Sequence, residues 1–367
     1  MKTDKMRISY ILDTFGGGGK ERRCLQVIQG LNKEGITDIQ VVISNDNVAY
    51  KELYETTAKI TIIDRKNKGM NQVQTAKALY NLLKGFHPDI VQAWGLMSAG
   101  VVLMVKPWLK FKFVGSYVAD NYSPNGINSF INWMCNRLCI KIISNSKAGF
   151  PAYHTPASKS VLIYNGFNEL RYNNTIDKQQ KKEELDIKTK YVVAMVASFW
   201  RTKDWQCYID TAKQIISKRS DITFLAVGKG PQWDYYNNQI KEEERLLIRM
   251  MGRRDDVDEI YQICDLTVLC SYNGEGVSNS IMESMAWGVP VMATNGGGTP
   301  EIIENRINGR LIDIQTPESV GKMITELLDS PQMLCQMKRN AELTVKNKFL
   351  LQRMSNEYMN LYKYLAQ

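Results

Sequence analysis

The chain has 367 residues, too many for one ordinary hydrophobic core, so two domains are expected. Its 44% hydrophobic and 23% charged residues are normal for a globular protein, and no run of 18 apolar residues suggests a transmembrane helix. The net charge of +9 is concentrated at the front: residues 1–165 hold 21 Lys and Arg against 11 Asp and Glu, the remainder 26 against 27. A basic half points to an anionic partner such as a membrane surface or a phosphorylated acceptor, or else serves only as a solubilising surface. No recognised nucleic-acid-binding module occurs, so nucleic acid is not an expected partner. Residues 1–7 are charged and lack the apolar stretch of a signal peptide. The seven cysteines include no Cys-x-x-Cys pair and read as reduced thiols. Both features lead to an expectation of a cytoplasmic protein.

Taken in chain order, short apolar or β-branched runs alternate with helical patterns. Strands are predicted at 8–12, 39–43, 59–63, 90–93, 113–117, 140–143 and 161–163, with helices such as 22–32 and 71–84 between them. A second series follows at 191–197, 223–227, 266–270, 289–293 and 309–312, and beyond Pro331 the pattern is helical to the end. This alternation implies parallel sheets covered by helices on both faces, twice over. The fold class is therefore α/β, with two Rossmann-like, doubly wound domains facing a cleft and ligands beyond the carboxyl ends of the strands. The expected division is an N-terminal domain over 1–165, a linker over 166–190 and a C-terminal domain over 191–345. A terminal helix is expected over 346–367. Asn165-Gly166 is a turn signal, and 178–190 is polar and lysine-rich.

The most informative stretch is Glu275-Gly276-Val277-Ser278-Asn279-Ser280-Ile281-Met282-Glu283. Ser278, Asn279 and Ser280 favour a helix start, whose backbone N–H groups attract an anion. A carboxylate on each side of that start suits a phosphate flanked by hydroxyl-bearing groups, as in a nucleotide sugar. Other glycine-rich or basic segments end strands: Gly16-Gly17-Gly18-Gly19-Lys20, Arg201-Thr202-Lys203, Gly228-Lys229-Gly230, Gly252-Arg253-Arg254 and Gly296-Gly297-Gly298. Glycines let a backbone approach a bound group, and cations can clamp a diphosphate. The first loop is neither a P-loop nor a complete dinucleotide fingerprint, and a plain flexible turn explains it equally well. Asp256-Val257-Asp258 resembles a metal-holding pair, but helix capping explains it more simply. With only His87 and His154 in the chain and no Cys/His cluster, zinc is not expected, and no nucleophile elbow occurs.

Together these segments resemble the family-4 retaining glycosyltransferases of the GT-B architecture. The resemblance runs over most of the chain. In the second half it rests on Gly252-Arg253-Arg254-Asp255-Asp256-Val257, Glu275-Gly276, Glu283-Ser284-Met285-Ala286, Gly288-Val289-Pro290-Val291 and Gly297-Gly298-Thr299-Pro300-Glu301. In the first half it rests on Gly18-Gly19-Lys20-Glu21-Arg22, His87-Pro88-Asp89-Ile90-Val91 and Ser144-Asn145-Ser146. It implies that Glu275 contacts donor-sugar hydroxyls and Glu283 the ribose, and that the terminal helix over 346–367 crosses back to the first domain. The amides around Ser278, Asn279 and Ser280 would hold the diphosphate with Arg201, Lys203 and the Gly18-Gly19 loop, and the base would lie near Gly252 and Arg253. It also implies that no metal or other cofactor is needed, that configuration is retained, and that the acceptor is a glycan or lipid-linked intermediate of polysaccharide synthesis. A first-domain histidine common in the family is missing, and Asp120 or Asn121 is the candidate replacement, Asp120 being assigned to catalysis. Ser198 stands where many members have arginine, with Arg201 as its substitute.

Lys106-Pro107-Trp108-Leu109-Lys110-Phe111-Lys112-Phe113 interleaves cations with large apolar groups. It is either a contact with an anionic membrane at its inner face or a helix-to-strand connection with aromatics in the core, and a buried strand start at Phe113 favours the second. Two rival functions remain open: a nucleotide-sugar epimerase or hydrolase of the same fold, and a non-catalytic nucleotide-sugar-binding module.

Overall fold

The computed structural model describes residues 6–65, 67–118, 123–272 and 275–367. They form two compact units, Met1–Gly166 with Leu351–Gln367, and Phe167–Leu350. The first contains strands β1 (Ile8–Leu12), β2 (Ile39–Ile43), β3 (Lys59–Ile62), β4 (Ile90–Trp94), β5 (Lys112–Val118), β6 (Lys141–Ser144) and β7 (Ser160–Leu162). Helices α1 (Gly19–Lys33), α2 (Gln72–Phe86), α3 (Leu96–Val105), α4 (Gly126–Leu138) and α5 (Gly149–Ala152) lie between them. The sheet is parallel, in the order β3-β2-β1-β4-β5-β6-β7. Ile8 of β1 is in register with Ile39 on one side and Ile90 on the other. All five residues of β1 are buried, as expected of a strand covered on both faces. α2 opens on a capping box of Asn71 and Gln74 and ends at His87 in the left-handed conformation.

The second unit contains β8 (Tyr191–Val196), β9 (Ile222–Val227), β10 (Ile248–Gly252), β11 (Leu266–Leu269), β12 (Val291–Thr294) and β13 (Gly309–Ile312). Its parallel order is β10-β9-β8-β11-β12-β13. β10 has no counterpart among the predicted strands. Its helices are α6 (Lys178–Glu184), α7 (Trp205–Ile216), α8 (Trp233–Asn237), α9 (Val257–Ile263), α10 (Asn279–Ala286), α11 (Thr299–Ile302), α12 (Pro317–Leu328) and α13 (Pro331–Lys348).

Residues 167–190, expected as a linker, are folded into this second unit. α6 is capped by Asp177, and its buried Lys181 pairs with Glu184, Asp256 and Glu259 at 2.9, 2.8 and 2.8 Å. Ile176 donates its N–H to Gln262 Oε1 at 3.1 Å. Near the unit's other end, Phe167 donates its N–H to the Phe349 carbonyl at 2.7 Å. The helical pattern expected from Pro331 onward breaks at Phe349 and Leu350, and α14 (Leu351–Ala366) joins the first unit.

α14 is held there by packing and by a buried polar cluster. Tyr10 donates to Tyr362 Oη at 2.9 Å, and Tyr362 donates to Gln92 Oε1 at 2.5 Å. Buried Arg23 donates to the Ile163 carbonyl at 2.6 Å and lies over the rings of Trp94 and Tyr358. A methyl group on Gly30 would overlap Ser355, so glycine is what lets α1 approach α14 closely.

Candidate functional site

In each sheet the strand order reverses beside the first strand, between β1 and β4 and between β8 and β11. Loops leaving the carboxyl ends at such a reversal form a natural crevice. In the second unit the β8 loop carries Ser198 to Asp204. It is anchored by Phe199, stacked on buried Trp205 with ring centroids 3.8 Å apart, and by the Trp205 indole N–H donated to the Ser198 carbonyl at 3.0 Å. Trp200 and Arg201 are left exposed, while Lys203 turns inward. Gly228 has φ +144°, and a methyl group there would overlap the Ala197 carbonyl; one on Gly230 would press on the Phe199 backbone. These two glycines therefore let the β9 loop buttress the β8 loop.

The β11 loop brings Glu275 to Lys203. The two side chains form an ion pair, and Ser271 donates its hydroxyl to Glu275 Oε1 at 2.8 Å. Ser271 also bridges the backbone of Lys203. Burial draws the Lys203 ammonium down, to about 8, while the adjoining Glu275 carboxylate favours its charged form. Gly297, at φ +57°, pairs with Glu275 through a parallel bridge, and Gly298 donates its N–H to the Glu275 carbonyl at 2.5 Å. A methyl group on Gly297 would overlap that same carbonyl. The glycines after β12 thus fix the backbone of Glu275. Asp204 ties the two loops together: it caps α7 through the Cys207 N–H at 3.0 Å and accepts from Tyr272 Oη at 2.9 Å and Gln315 Nε2 at 2.6 Å.

α10 begins at Asn279, with Ser278 at the N-cap position. The Ser278 side chain makes no capping bond; its Oγ instead lies 3.1 Å from Ser280 Oγ. The first-turn amides therefore keep the anion-attracting character of a helix start. Glu283 is buried in this helix and accepts from Arg171 Nη1 at 2.9 Å. Arg171 also pairs with Asp258 through its other nitrogens, and Asp258 accepts from the Trp287 indole at 2.9 Å. Burial pulls the Arg171 guanidinium down, but Glu283 and Asp258 more than reverse this and hold it firmly protonated.

Arg171 comes from a short 3-10 turn, Glu169–Asn173, that carries no helical periodicity and was not singled out. Asp256 and Asp258 stand at the start of α9, where their charges suit the helix dipole as expected, but neither side chain makes a capping bond. Asp256 sits at the N-cap of α9 without a side-chain cap bond and pairs with Arg254 and Lys181; Asp258 turns to Arg171. Gly252, at φ +66°, ends β10 and accepts the Gly228 N–H at 2.8 Å, and Arg253 beside it is exposed.

In the first unit Gly18 is the N-cap of α1, and Gly19 opens that helix beyond β1. The adjacent Asp13 accepts from Ser98 Oγ at 2.8 Å and lies 4.0 Å from Lys20 Nζ. Asp120 and Asn121, the candidates for the missing histidine, lie outside the described residues. The 106–113 stretch divides: Phe111 and Phe113 are core, whereas Trp108 is 70% exposed. No helix among the described residues is long and apolar enough to cross a membrane.

Residues 177–344 match the family model described as glycosyl transferases group 1. The chain is 27% identical over 203 residues to N-acetyl-alpha-D-glucosaminyl L-malate synthase of Bacillus anthracis, a match taking in 54% of this chain and 52% of that protein. For several such relatives, this one included, the match spans only about half of the relative's length. It is 22% identical over 362 residues to N,N'-diacetylbacillosaminyl-diphospho-undecaprenol alpha-1,3-N-acetylgalactosaminyltransferase of Campylobacter jejuni, covering 92% of this chain and 93% of that one. The fold is similar to Anabaena HepE solved in complex with UDP-glucose, with a TM-score of 0.86 at 20% identity over 98% of this chain and 100% of that one. The two Rossmann-like units are those of the GT-B fold.

Proposed function

We propose, from the match of residues 177–344 to the group 1 glycosyl transferases, that the chain moves a hexose or N-acetylhexosamine from a nucleotide-diphosphate sugar to an acceptor hydroxyl. The acceptor is a lipid-linked or polysaccharide intermediate, configuration at the anomeric carbon is retained, and no metal takes part. The protein works in the cytoplasm, peripherally at the inner face of the membrane. The observation that carries this reading is the Lys203–Glu275 pair set in the same reversal crevice as the start of α10. A cation, a carboxylate and a helix start are the groups a sugar diphosphate needs at one place.

In the donor complex Lys203 and Arg201 turn to the diphosphate with the amides at Ser278, Asn279 and Ser280, freeing Glu275 for the sugar hydroxyls. Glu283 takes the ribose, and Gly252 and Arg253 flank the base. The bond from the anomeric carbon to the phosphate oxygen breaks as the acceptor oxygen bonds on the same face. The acceptor proton passes to the departing phosphate, whose charge the cations stabilise. Asp120 acts on the acceptor side. UDP is the favoured nucleotide, since HepE was solved with UDP-glucose; a lipid-linked acceptor is favoured by the diphospho-undecaprenol in the Campylobacter relative's name.

Thermal-shift screening across UDP- and GDP-sugars identifies the donor, because stabilisation grows with ligand excess over its dissociation constant. With that donor, Glu275→Ala is expected to lose roughly 100-fold or more in transfer while still binding the nucleotide. Full activity in that variant, or release of free sugar at the same rate without acceptor, refutes the assignment.

A further inference from the structure

The first unit contains a pocket of about 770 Å³, within the size range of small-molecule sites. On α3 it is lined by Met97, Gly100, Val101, Leu103 and Met104. Ile127, Phe130, Ile131 and Met134 line it from α4. The α4 set, and the α3 set apart from Leu103, follow the i, i+3, i+4, i+7 spacing of the stripe a helix ordinarily buries in a core. Here part of each stripe borders open space, with Ile127 67% exposed, Phe130 58% and Met97 45%, while Val101 is buried. α4 meets the core through buried Asn132 and Cys135 and through Ile131, which lies close to Gly100 of α3. At its polar end the pocket reaches Asp13, Ser44, Asn45 and Arg65, beyond the carboxyl ends of β1, β2 and β3.

We infer that this pocket holds the isoprenoid or alkyl chain of a lipid diphosphate-linked acceptor, with Arg65 at the diphosphate; the inference rests on the lipid-linked acceptor of the proposed function. The lining decides the class of occupant. Four methionines (Met70, Met97, Met104 and Met134) contribute, and their unbranched side chains adapt to a flexible chain better than a rigid core would. Arg65, in a half whose sequence holds 21 cations against 11 anions, complements an anionic head group. Asp13 stands at the same end to meet the hydroxyls of the attached sugar. Beyond the pocket the apolar surface continues: Phe130 stacks on Trp133 at 5.9 Å, and Arg137 covers the Trp133 ring at 4.4 Å. A chain longer than the pocket therefore runs out along α4 beneath a cation suited to lipid phosphates.

The test measures farnesyl diphosphate, farnesol and inorganic pyrophosphate by calorimetry, with saturating UDP occupying the donor site. Farnesyl diphosphate should bind at least about tenfold more tightly than pyrophosphate, from the apolar area its chain buries. Phe130→Asp and Met104→Trp should each remove that advantage, and Arg65→Gln should weaken farnesyl diphosphate but not farnesol. UDP affinity should be unchanged in all three. Equal binding of farnesyl diphosphate and pyrophosphate, or wild-type affinities in the two apolar variants, overturns the inference. So does a dimer that dissociates in Phe130→Asp while farnesyl diphosphate still binds. A transfer assay separates this from the broader reading. Transfer to a phytanyl diphosphate saccharide with KM unaltered in the pocket variants sinks the pocket and leaves the transferase. Chain-dependent binding without transfer to any lipid-linked saccharide supports the pocket and removes the acceptor assignment.

Discussion

The two units place loops at the same topological position but fill it with different chemistry. In the second unit, charge pairs and close backbone approach hold the loops: Lys203 with Glu275, Arg171 with Glu283, and Gly297 against the Glu275 carbonyl. In the first, the strand ends open onto an apolar pocket, and a methyl group on Gly17 would meet nothing within 4 Å. A crevice built of fixed ion pairs suits one recurring ligand head group. A roomy, methionine-rich crevice suits a ligand with a flexible part. The same fold thus gives one half the more rigid task and the other the more permissive one.

The comparison breaks most readily at the glycines. Gly297→Ala forces the Glu275 backbone aside, and a displacement of that kind should cost roughly 100-fold in transfer and about 1–3 kcal/mol of stability. Gly17→Ala, made in parallel, should change stability by no more than about 0.5 kcal/mol. Equal effects of the two in turnover and chemical denaturation would erase the distinction between the units. A smaller effect on function is expected at Glu283→Gln, which removes one of the two carboxylates paired with Arg171. It should cost about 1.5–3 kcal/mol and weaken nucleotide binding roughly tenfold. Loss of stability with unchanged nucleotide affinity would assign Glu283 to the fold and not to the ribose.

The smallest effect is one of pH. Burial brings Lys203 to about 8, and a bound diphosphate favours its charged form. Above about pH 8 binding must therefore take up a proton, so affinity falls as pH rises, by at most about tenfold per unit. Lys203→Arg, which stays charged, should flatten the profile measured by titration calorimetry. A flat profile in the unaltered protein would mean that Glu275 already holds the lysine protonated.

Much of the second unit could be read beforehand because its chemistry is contiguous. Glu275, Ser278 and Glu283 occupy one nine-residue stretch, and the helix start between them follows from local capping preference. What escaped depends on distant pairing. Arg171 lies in a five-residue turn inside a stretch whose lysines and polar residues suggested a linker, and only folding brings it to Glu283, 112 positions away. β10 was legible in hindsight: Leu246 to Met251 is an apolar run broken only by Arg249, ending at a glycine. Asp256 stands at the cap position its sequence indicates, yet Arg254 and Lys181 outcompete the backbone for its carboxylate. The stripes on α3 and α4 are visible as helical spacing, but spacing alone does not distinguish a wall from a core.

The pairing of Phe167 with Phe349 has a further consequence. The second unit is an insertion in the first, and its two ends meet in a backbone hydrogen bond of 2.7 Å. A segment whose termini already touch is a portable module: it can be excised as 167–350 without tearing its own sheet, or circularly permuted by joining those ends. The host is constrained differently, because its last helix arrives only after the guest has been synthesised. On the ribosome the first unit must wait, with the site for α14 unfilled, until about half of the chain has passed.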